Sequence, residues 1–279
     1  MDNVKYKTIE TLALSFEMAS DIRIAVAFIS KDGLDVILPS IEKALTAGAK
    51  VEFLIGMDTQ ATDAAAVKYL YEQLHKTNQA KLFCFVPQSS SAIYHPKMYL
   101  AKNDNNATIF IGSSNLTKRG LMTNVEVNLL VRDNVDTEIV SEAYTTYARL
   151  KFHPARVIPD DDFIDLFIRL CNKTKRLSRN LSKNLEIQEL LKDFTKKARS
   201  LQKPRPNRDD LIGWVKEVYD ILPQNKFNNQ EIYKFEKYFK TLYPQNKNIR
   251  AKIRQQLQIL RDLKLIEHVG KGTWIRKPS

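Results

Sequence analysis

Between Ile22 and Val131 the chain alternates short apolar runs, rich in β-branched and aromatic residues, with stretches of helical period, and few architectures accept that alternation. The apolar runs are IRIAVAFI (22–29), KVEFLIG (50–56), KLFCFV (81–86), KMYLA (97–101), TIFIGS (108–113) and VEVNLLV (125–131). Amphipathic helices over 35–48 and 64–76 separate the first three of them. Runs with so little polar alternation are strands buried on both faces, so the fold class is α/β, a sheet sandwiched by helices. Helices over 137–152 and 161–171 close this first domain, expected to span residues 1–172.

Charge divides the chain unevenly. Residues 1–172 hold 18 Lys/Arg against 21 Asp/Glu, whereas 173–208 hold 12 against 3 and 209–279 hold 14 against 8. A basic half attracts polyanions through phosphate contacts and counterion release, which makes nucleic acid the first partner to consider. No apolar run approaches the roughly 18 residues that a membrane span needs, and MDNVKYKTIE lacks the features of a secretory signal, so a cytoplasmic protein is expected. Cys84 and Cys171 sit inside apolar patterns and read as buried free thiols.

Residues 173–208 read as a basic linker, with a possible helix over 184–201 and two prolines in QKPRPNRDD. The tail, 209–279, has a pattern of its own: helices over 209–222 and 231–243, the second capped by Asn228 or Asn229, and a third over 249–263. Two short strands around Gly270-Lys271-Gly272 follow. Three helices and a hairpin make a small winged helix-turn-helix.

The residues that carry chemistry lie in IYHPKMYLAKNDNNATIFIGSSNLTKRGLMTNVEVNLLV. His95 and Lys97 stand two apart at the start of a strand, so both can reach one phosphate. Asn115 follows the Gly112-Ser113-Ser114 turn, and Glu126 begins the next strand. An imidazole nucleophile, a fixed cation, an amide donor and a carboxylate to orient the imidazole suit a phosphodiesterase that works through phosphohistidine, without a metal or other cofactor.

The pair H-x-K (His95, Lys97) and G-S-x-N (Gly112 to Asn115), with Asn124-x-Glu126 downstream, resembles the phospholipase D superfamily over residues 15–170. The resemblance implies a mixed sheet flanked by helices. Lys102 occupies the position of the family's aspartate, with Asp104 two residues beyond, so no role transfers to an aspartate. The family's chemistry needs two facing motifs and this chain has one; His75, His153 and His268 have no lysine two residues on. The likeness therefore implies a homodimer with its active site on the two-fold axis. One His95 attacks phosphorus, its mate protonates the leaving oxygen, both Lys97 and Asn115 hold the nonbridging oxygens, and Ser113 or Ser114 adds a donor.

On the third tail helix, Ile249, Ile253, Leu257 and Leu260 form one face, and Ala251, Arg254, Gln255 and Gln258 the other, with Asn248 at its start. Amide and guanidinium donors around a small residue suit a helix in a major groove. Arg250 and Lys252 join the DNA-contacting set, and Lys271 on the wing faces phosphate. Residues 232–274 resemble the C-terminal winged helix of DpnI-type restriction endonucleases, which implies a reader of N6-methyladenine in GATC. Trp214, Tyr243 and Trp274 are candidates for the methyl pocket, against a plain core role for the same rings. The combined reading is a modification-dependent restriction endonuclease acting on double-stranded DNA, with three rivals: a methylation-insensitive sequence-specific endonuclease, a non-catalytic dimeric DNA-binding regulator, and a lipid phosphodiesterase, against which the basic tail and its winged helix argue.

Overall fold

The computed structural model describes residues 2–3, 7–86, 93–176 and 185–277. They form two compact units, Met1–Asp133 with His153–Pro204, and Asn134–Phe152 with Arg205–Ser279.

The first unit is built on a seven-stranded mixed sheet flanked by helices, of order β6-β5-β4-β1-β2-β3-β7. Its strands are β1 (Asp21–Val26), β2 (Lys50–Gly56), β3 (Ala80–Phe85), β4 (Lys97–Lys102), β5 (Asn106–Gly112), β6 (Asn128–Asn134) and the two-residue β7 (Arg156–Val157). Strands β1, β2 and β3 run parallel through the helical crossovers α2 (Lys31–Thr46) and α3 (Ala64–Leu74), while β4 and β5 pair antiparallel on the other side of β1. Ser30 caps α2 by accepting from the Gly33 amide at 3.2 Å, and Asp63 caps α3 by accepting from Ala65 at 3.1 Å. Ile22, Ile24 and Val26 alternate into a core shared with α1 (Thr8–Glu17), α2 and α3, and the intervening Ala25 is also fully buried. That two-sided burial is why the strands read as unbroken apolar runs.

The expected linker is largely core. Helix α5 (Asp161–Arg176) is followed by α6 (Leu185–Ser200), and Phe194 of α6 stacks on Phe163 at 4.7 Å between ring centroids. Ile187, Leu190, Phe194 and Ala198 repeat at helical spacing on the buried face of α6. The basic run ahead of α6, at 177–184, lies outside the described residues. Cys84 and Cys171 are buried free thiols.

The second unit contains α4 (Glu138–Lys151), which chain order assigned to the first domain. It packs on α7 (Gly213–Asp220): Ser141 Oγ donates to Ile212 O at 3.3 Å, and Ala148 belongs to the tail's core. Helix α7 starts later than the expected 209, because Arg208–Asp210 form a separate 3-10 turn closed by a capping box between Asn207 and Asp210. Gly213 takes φ +58°, and a side chain there would strike Ser141. The expected helix 231–243 is two, α8 (Asn229–Tyr233) and α9 (Glu236–Leu242), since Phe235 bonds back to Ile232 O at 3.1 Å and tightens the turn. Asn228 caps α8. Helix α10 (Ile249–Asp262) is followed by the wing strands β9 (Ile266–Gly270) and β10 (Thr273–Arg276), and β10 also pairs with β8 (Lys226–Asn228), a strand too short to show a period.

Within this unit Lys151 of α4 and Asp210 form an ion pair at 2.6 Å, each side chain only 5% exposed. Breaking a buried pair leaves one uncompensated charge, which costs about 3–5 kcal/mol, whereas replacing both partners by apolar groups is close to neutral. Lys151→Met alone is therefore expected to lower the urea midpoint strongly, and Lys151→Met with Asp210→Asn, which keeps an acceptor for the Asn207 amide, to recover part of it. Equal loss in the single and double variants contradicts this account.

Candidate active site

His95 lies just before β4, and Lys97 is the first residue of that strand, opposite Val26 of β1. The amide of Ala27 donates to Pro96 O at 2.9 Å, which pins the backbone between the two. Side chains of Lys97, Tyr99 and Ala101 alternate onto the face of the main core, so the Lys97 stem is buried at the rim of that core. Its ammonium lies 2.6 Å from His95 Nδ1, 3.0 Å from Nε2 and 3.2 Å from His95 O. The in-plane directions of the two ring nitrogens diverge and cannot both meet one atom, so the contact sets a cation beside the ring rather than a single directional bond. The ring of Phe28 meets the imidazole edge-on at 5.4 Å.

Tyr94, next to His95, is held from the other side. The guanidinium of the fully buried Arg156 lies 4.0 Å over the Tyr94 ring and 4.4 Å over Phe85, and the two rings stack at 4.8 Å. Neither residue was singled out from sequence. An Arg in a two-residue strand carries no periodic signal.

The Gly112-Ser113-Ser114 turn ends β5. Asn128, in the first position of β6, accepts from the amides of Ser113 (3.1 Å) and Ser114 (3.2 Å), and donates to Ser114 Oγ at 2.9 Å. Gly112 is required by close approach, since a Cβ would stand 2.3 Å from Asn128 Oδ1. Asn115 Oδ1 accepts from the Phe28 amide at 3.3 Å, which leaves its Nδ2 as an open donor among the described residues.

Glu126 lies two residues ahead of β6 rather than inside it, because Ser113 takes the ladder's place: its amide donates to Val127 O at 3.1 Å and its Oγ accepts from the Val127 amide at 2.9 Å. The carboxylate accepts from Ser113 Oγ and, at 3.2 Å, from Asn124 Nδ2. Its described hydrogen bonds thus go to Ser113 and Asn124, not to His95 of the same chain. Its charge does reach Lys97 and raises the affinity of that amine for its proton, against the larger lowering by burial. Burial and the Lys97 charge together hold the His95 pKa below its ordinary 6.5, so the ring is neutral and keeps a lone pair at neutral pH. Lys102 ends β4, five residues or about 17 Å of strand from Lys97, and is remote from the imidazole.

In the second unit the DNA-reading set divides. Arg250, Ala251, Arg254, Gln255 and Gln258 are exposed on α10, as are Asn248 at its start and Lys271 at the wing turn. Arg250 pairs with Glu236 at 2.7 Å, and Arg254 donates to the Tyr233 hydroxyl at 3.0 Å. Lys252 is a correction: it is buried and bonded to Glu138 of α4, because the inward stripe of α10 is wide enough to include Lys252 and Gln256. The three aromatic candidates pack in or against the core of this unit. Trp214 is buried and stacks on Tyr243 at 4.0 Å and Phe239 at 5.2 Å, while Trp274 is buried with its Nε1 donating to Asn229 at 2.8 Å.

Residues 17–150 match the family model described as Cardiolipin synthase, PLD-like domain, and residues 208–276 match that of the Dam-replacing HTH domain. Residues 17–150 are thus similar to PLD-like domains, and residues 208–276 to the Dam-replacing helix-turn-helix domain. Among solved structures it is similar to NucT from Helicobacter pylori, at 18% identity and TM-score 0.39 over 51% of this chain and 86% of that one. Phosphatidylserine synthase of Haemophilus influenzae Rd KW20 is matched at 12% identity and TM-score 0.46, over 63% of this chain and 44% of the synthase. TrmBL2, an archaeal chromatin protein, is matched at 16% identity and TM-score 0.33, over 53% of this chain and 48% of its own.

The electrostatics give a direct test. Replacing Lys97 by Gln removes the repulsive charge but leaves the burial, so the His95 titration midpoint, followed by its imidazole NMR signals, is expected to move up from the wild-type value toward 6.5. A midpoint that stays put or falls refutes the assignment of Lys97 as the ring's neighbouring charge.

Proposed function

We propose that the chain is a metal-independent DNA endonuclease in which two copies of the His95 site act together. The observation that carries this reading is the half-site itself. A neutral imidazole with an adjoining ammonium, and an open amide donor, both set against Phe28, lie in a stretch similar to PLD-like domains, in a chain that also matches a helix-turn-helix domain.

In the proposed reaction a nitrogen of His95 attacks phosphorus, a P–N bond forms, and the P–O bond to one nucleoside breaks. The partner's His95, protonated, gives its proton to the departing oxygen. Water then attacks phosphorus with the same imidazole as base, the P–N bond breaks, and His95 is regenerated. Lys97 and Asn115 hold the nonbridging oxygens. Glu126, through Ser113 and Asn124, shapes the turn and balances the Lys97 charge.

Pairing of two chains is supported by the side chains around the site. Ile93, Val125, Val127 and Leu129 are 80%, 80%, 82% and 64% exposed, all within three residues of His95 or Glu126. Apolar side chains concentrated there favour a protein partner over water. We further propose that the helix-turn-helix directs the nuclease to adenine-methylated GATC, on the strength of the DpnI-like run from Asn248 to Asp262 and the exposed Arg254, Gln255 and Gln258.

The deciding experiment is plasmid digestion in EDTA, with wild type and His95→Ala, on adenine-methylated and unmethylated DNA. Cutting of methylated plasmid by wild type alone is expected, with His95→Ala slower by about 10³-fold or more. Equal cutting of both plasmids removes the methyl claim and favours the methylation-insensitive endonuclease. Binding with no cutting favours the regulator, and a strict need for divalent ions ends the phosphohistidine reading.

Dimerisation is tested separately with Val125→Asp/Val127→Asp. Both positions are open to solvent, so the variant is expected to fold, sediment as a monomer and lose cleavage. A dimer that still cuts shows that the pairing surface lies elsewhere.

A further inference from the structure

Residues 151–207 lie outside both family matches, yet they supply α6, a helix of the nuclease unit with an unusual distribution of charge. We propose that the outward face of α6 is a second DNA-contact site, which binds the phosphate backbone of duplex DNA through Lys192, Lys196 and Arg199.

These three residues are spaced i, i+4 and i+7, which places them within about 60° of one another around a helix of 3.6 residues per turn. With Leu191 and Thr195 they line an open groove along the helix surface. All three are exposed, and no described carboxylate pairs with any of them. The contrast on the same helix is Lys197. It projects elsewhere and is held by Asp160 at 2.7 Å and Asp162 at 3.0 Å, so its charge is spent inside the unit. Glu189 and Asp193, each three residues ahead of a stripe lysine, border the stripe on one side about 60° from Lys192 and Lys196 respectively, and neither forms an ion pair with the stripe among the described residues.

Lys192 and Arg199 are about 10 Å apart along the helix. One strand of B-DNA advances about 3.4 Å of axis per phosphate, so the stripe matches roughly three successive phosphates. A duplex is favoured over an anionic lipid surface by the helix's other face. Its apolar residues, Ile187, Leu190, Phe194 and Ala198, are buried in the core of the unit and are not available to enter a bilayer. The stripe holds charge and reach but no amide or acidic reader of bases, so it contributes affinity without sequence preference. The inference rests on the reading of the chain as a DNA-acting protein, and adds a contact that neither domain match includes.

The test measures affinity of the full chain for a non-target DNA duplex as a function of salt. In Lys192→Gln/Lys196→Gln/Arg199→Gln the slope of log affinity against log salt is expected to shrink by about 3, at close to 0.9 per lost phosphate contact. Preference for methylated over unmethylated duplex is expected to stay as in wild type. Lys197→Gln, in the same helix, is expected to leave the slope unchanged. Glutamine keeps helix propensity at these exposed positions, and an unchanged far-UV spectrum certifies the fold. An unchanged slope in the triple variant overturns the proposal, as does loss of binding to phosphatidylserine vesicles with the DNA slope intact. Because the readout is binding, it stands even where wild type cuts no plasmid, which would sink the nuclease reading alone.

Discussion

The candidate site depends on the antiparallel pairing of β1 with β4. That register sets Lys97 opposite Val26 and, one bond further, ties Ala27 to Pro96, so the backbone is fixed on both sides of the H-x-K turn. A slip by one residue would send Lys97, Tyr99 and Ala101 to the opposite face. It is resisted because Tyr99 and Ala101 belong to the main core, and the Tyr99 hydroxyl donates to Ser114 O at 3.0 Å. One side chain in the core therefore links the strand that begins at Lys97 to the turn that presents Asn115.

A buried lysine is costly unless something offsets its desolvation. Here burial lowers its affinity for a proton, and Glu126 works against that. The balance is uneven, since burial is the larger effect. The same lysine and the same burial depress the His95 pKa, so the cation that suits a phosphate also keeps its neighbour in the nucleophilic form. Asn128 completes the arrangement from the far side: a single amide satisfies two backbone donors and a hydroxyl in the Ser113-Ser114 turn, a fully committed hydrogen-bond set that gives the turn one conformation.

Much of this was legible in the sequence. Strands β1 to β5 are long enough to show unbroken apolar character, and the H-x-K and GSSN runs fall at strand ends where short turns bring them together. The features that escaped are short or non-local. Strands β7 and β8 have two and three residues, too few for a period. The placement of α4 with the tail follows from Ser141 against Ile212 and from Lys151 with Asp210, partners about 60 to 70 residues away that no window can see. The placement of Lys252 escapes the pattern because the four apolar positions of α10 are only part of its inward face, which Lys252, Gln256 and Ile259 widen. Glu126 was placed in a strand by its flanking valines, but Val125 and Val127 are turned to solvent, and Ser113 rather than a ladder holds that backbone.

Those exposed valines bear on how the chemistry is completed. Cleavage through a phosphohistidine requires a base or nucleophile and an acid whose proton affinities differ, and one half-site offers only one group suited to neutral pH. Within the described structure, Tyr94 is pushed up to about 12 by burial, and Lys97 lies against the His95 ring as its neighbouring cation. His75 Nδ1 donates to Tyr71 O, His153 accepts from the Ala155 amide, and His268 packs on Trp274, so each remaining imidazole is engaged by its own neighbours. In the proposed homodimer a second copy of His95 supplies that acid. Two identical rings are made unequal by the reaction itself: once one is bonded to phosphorus, the other is the only titratable imidazole left at the axis. The proposed homodimer thus turns a single motif into an acid and a nucleophile without a second gene segment, at the cost of one active site for every two DNA-reading helices.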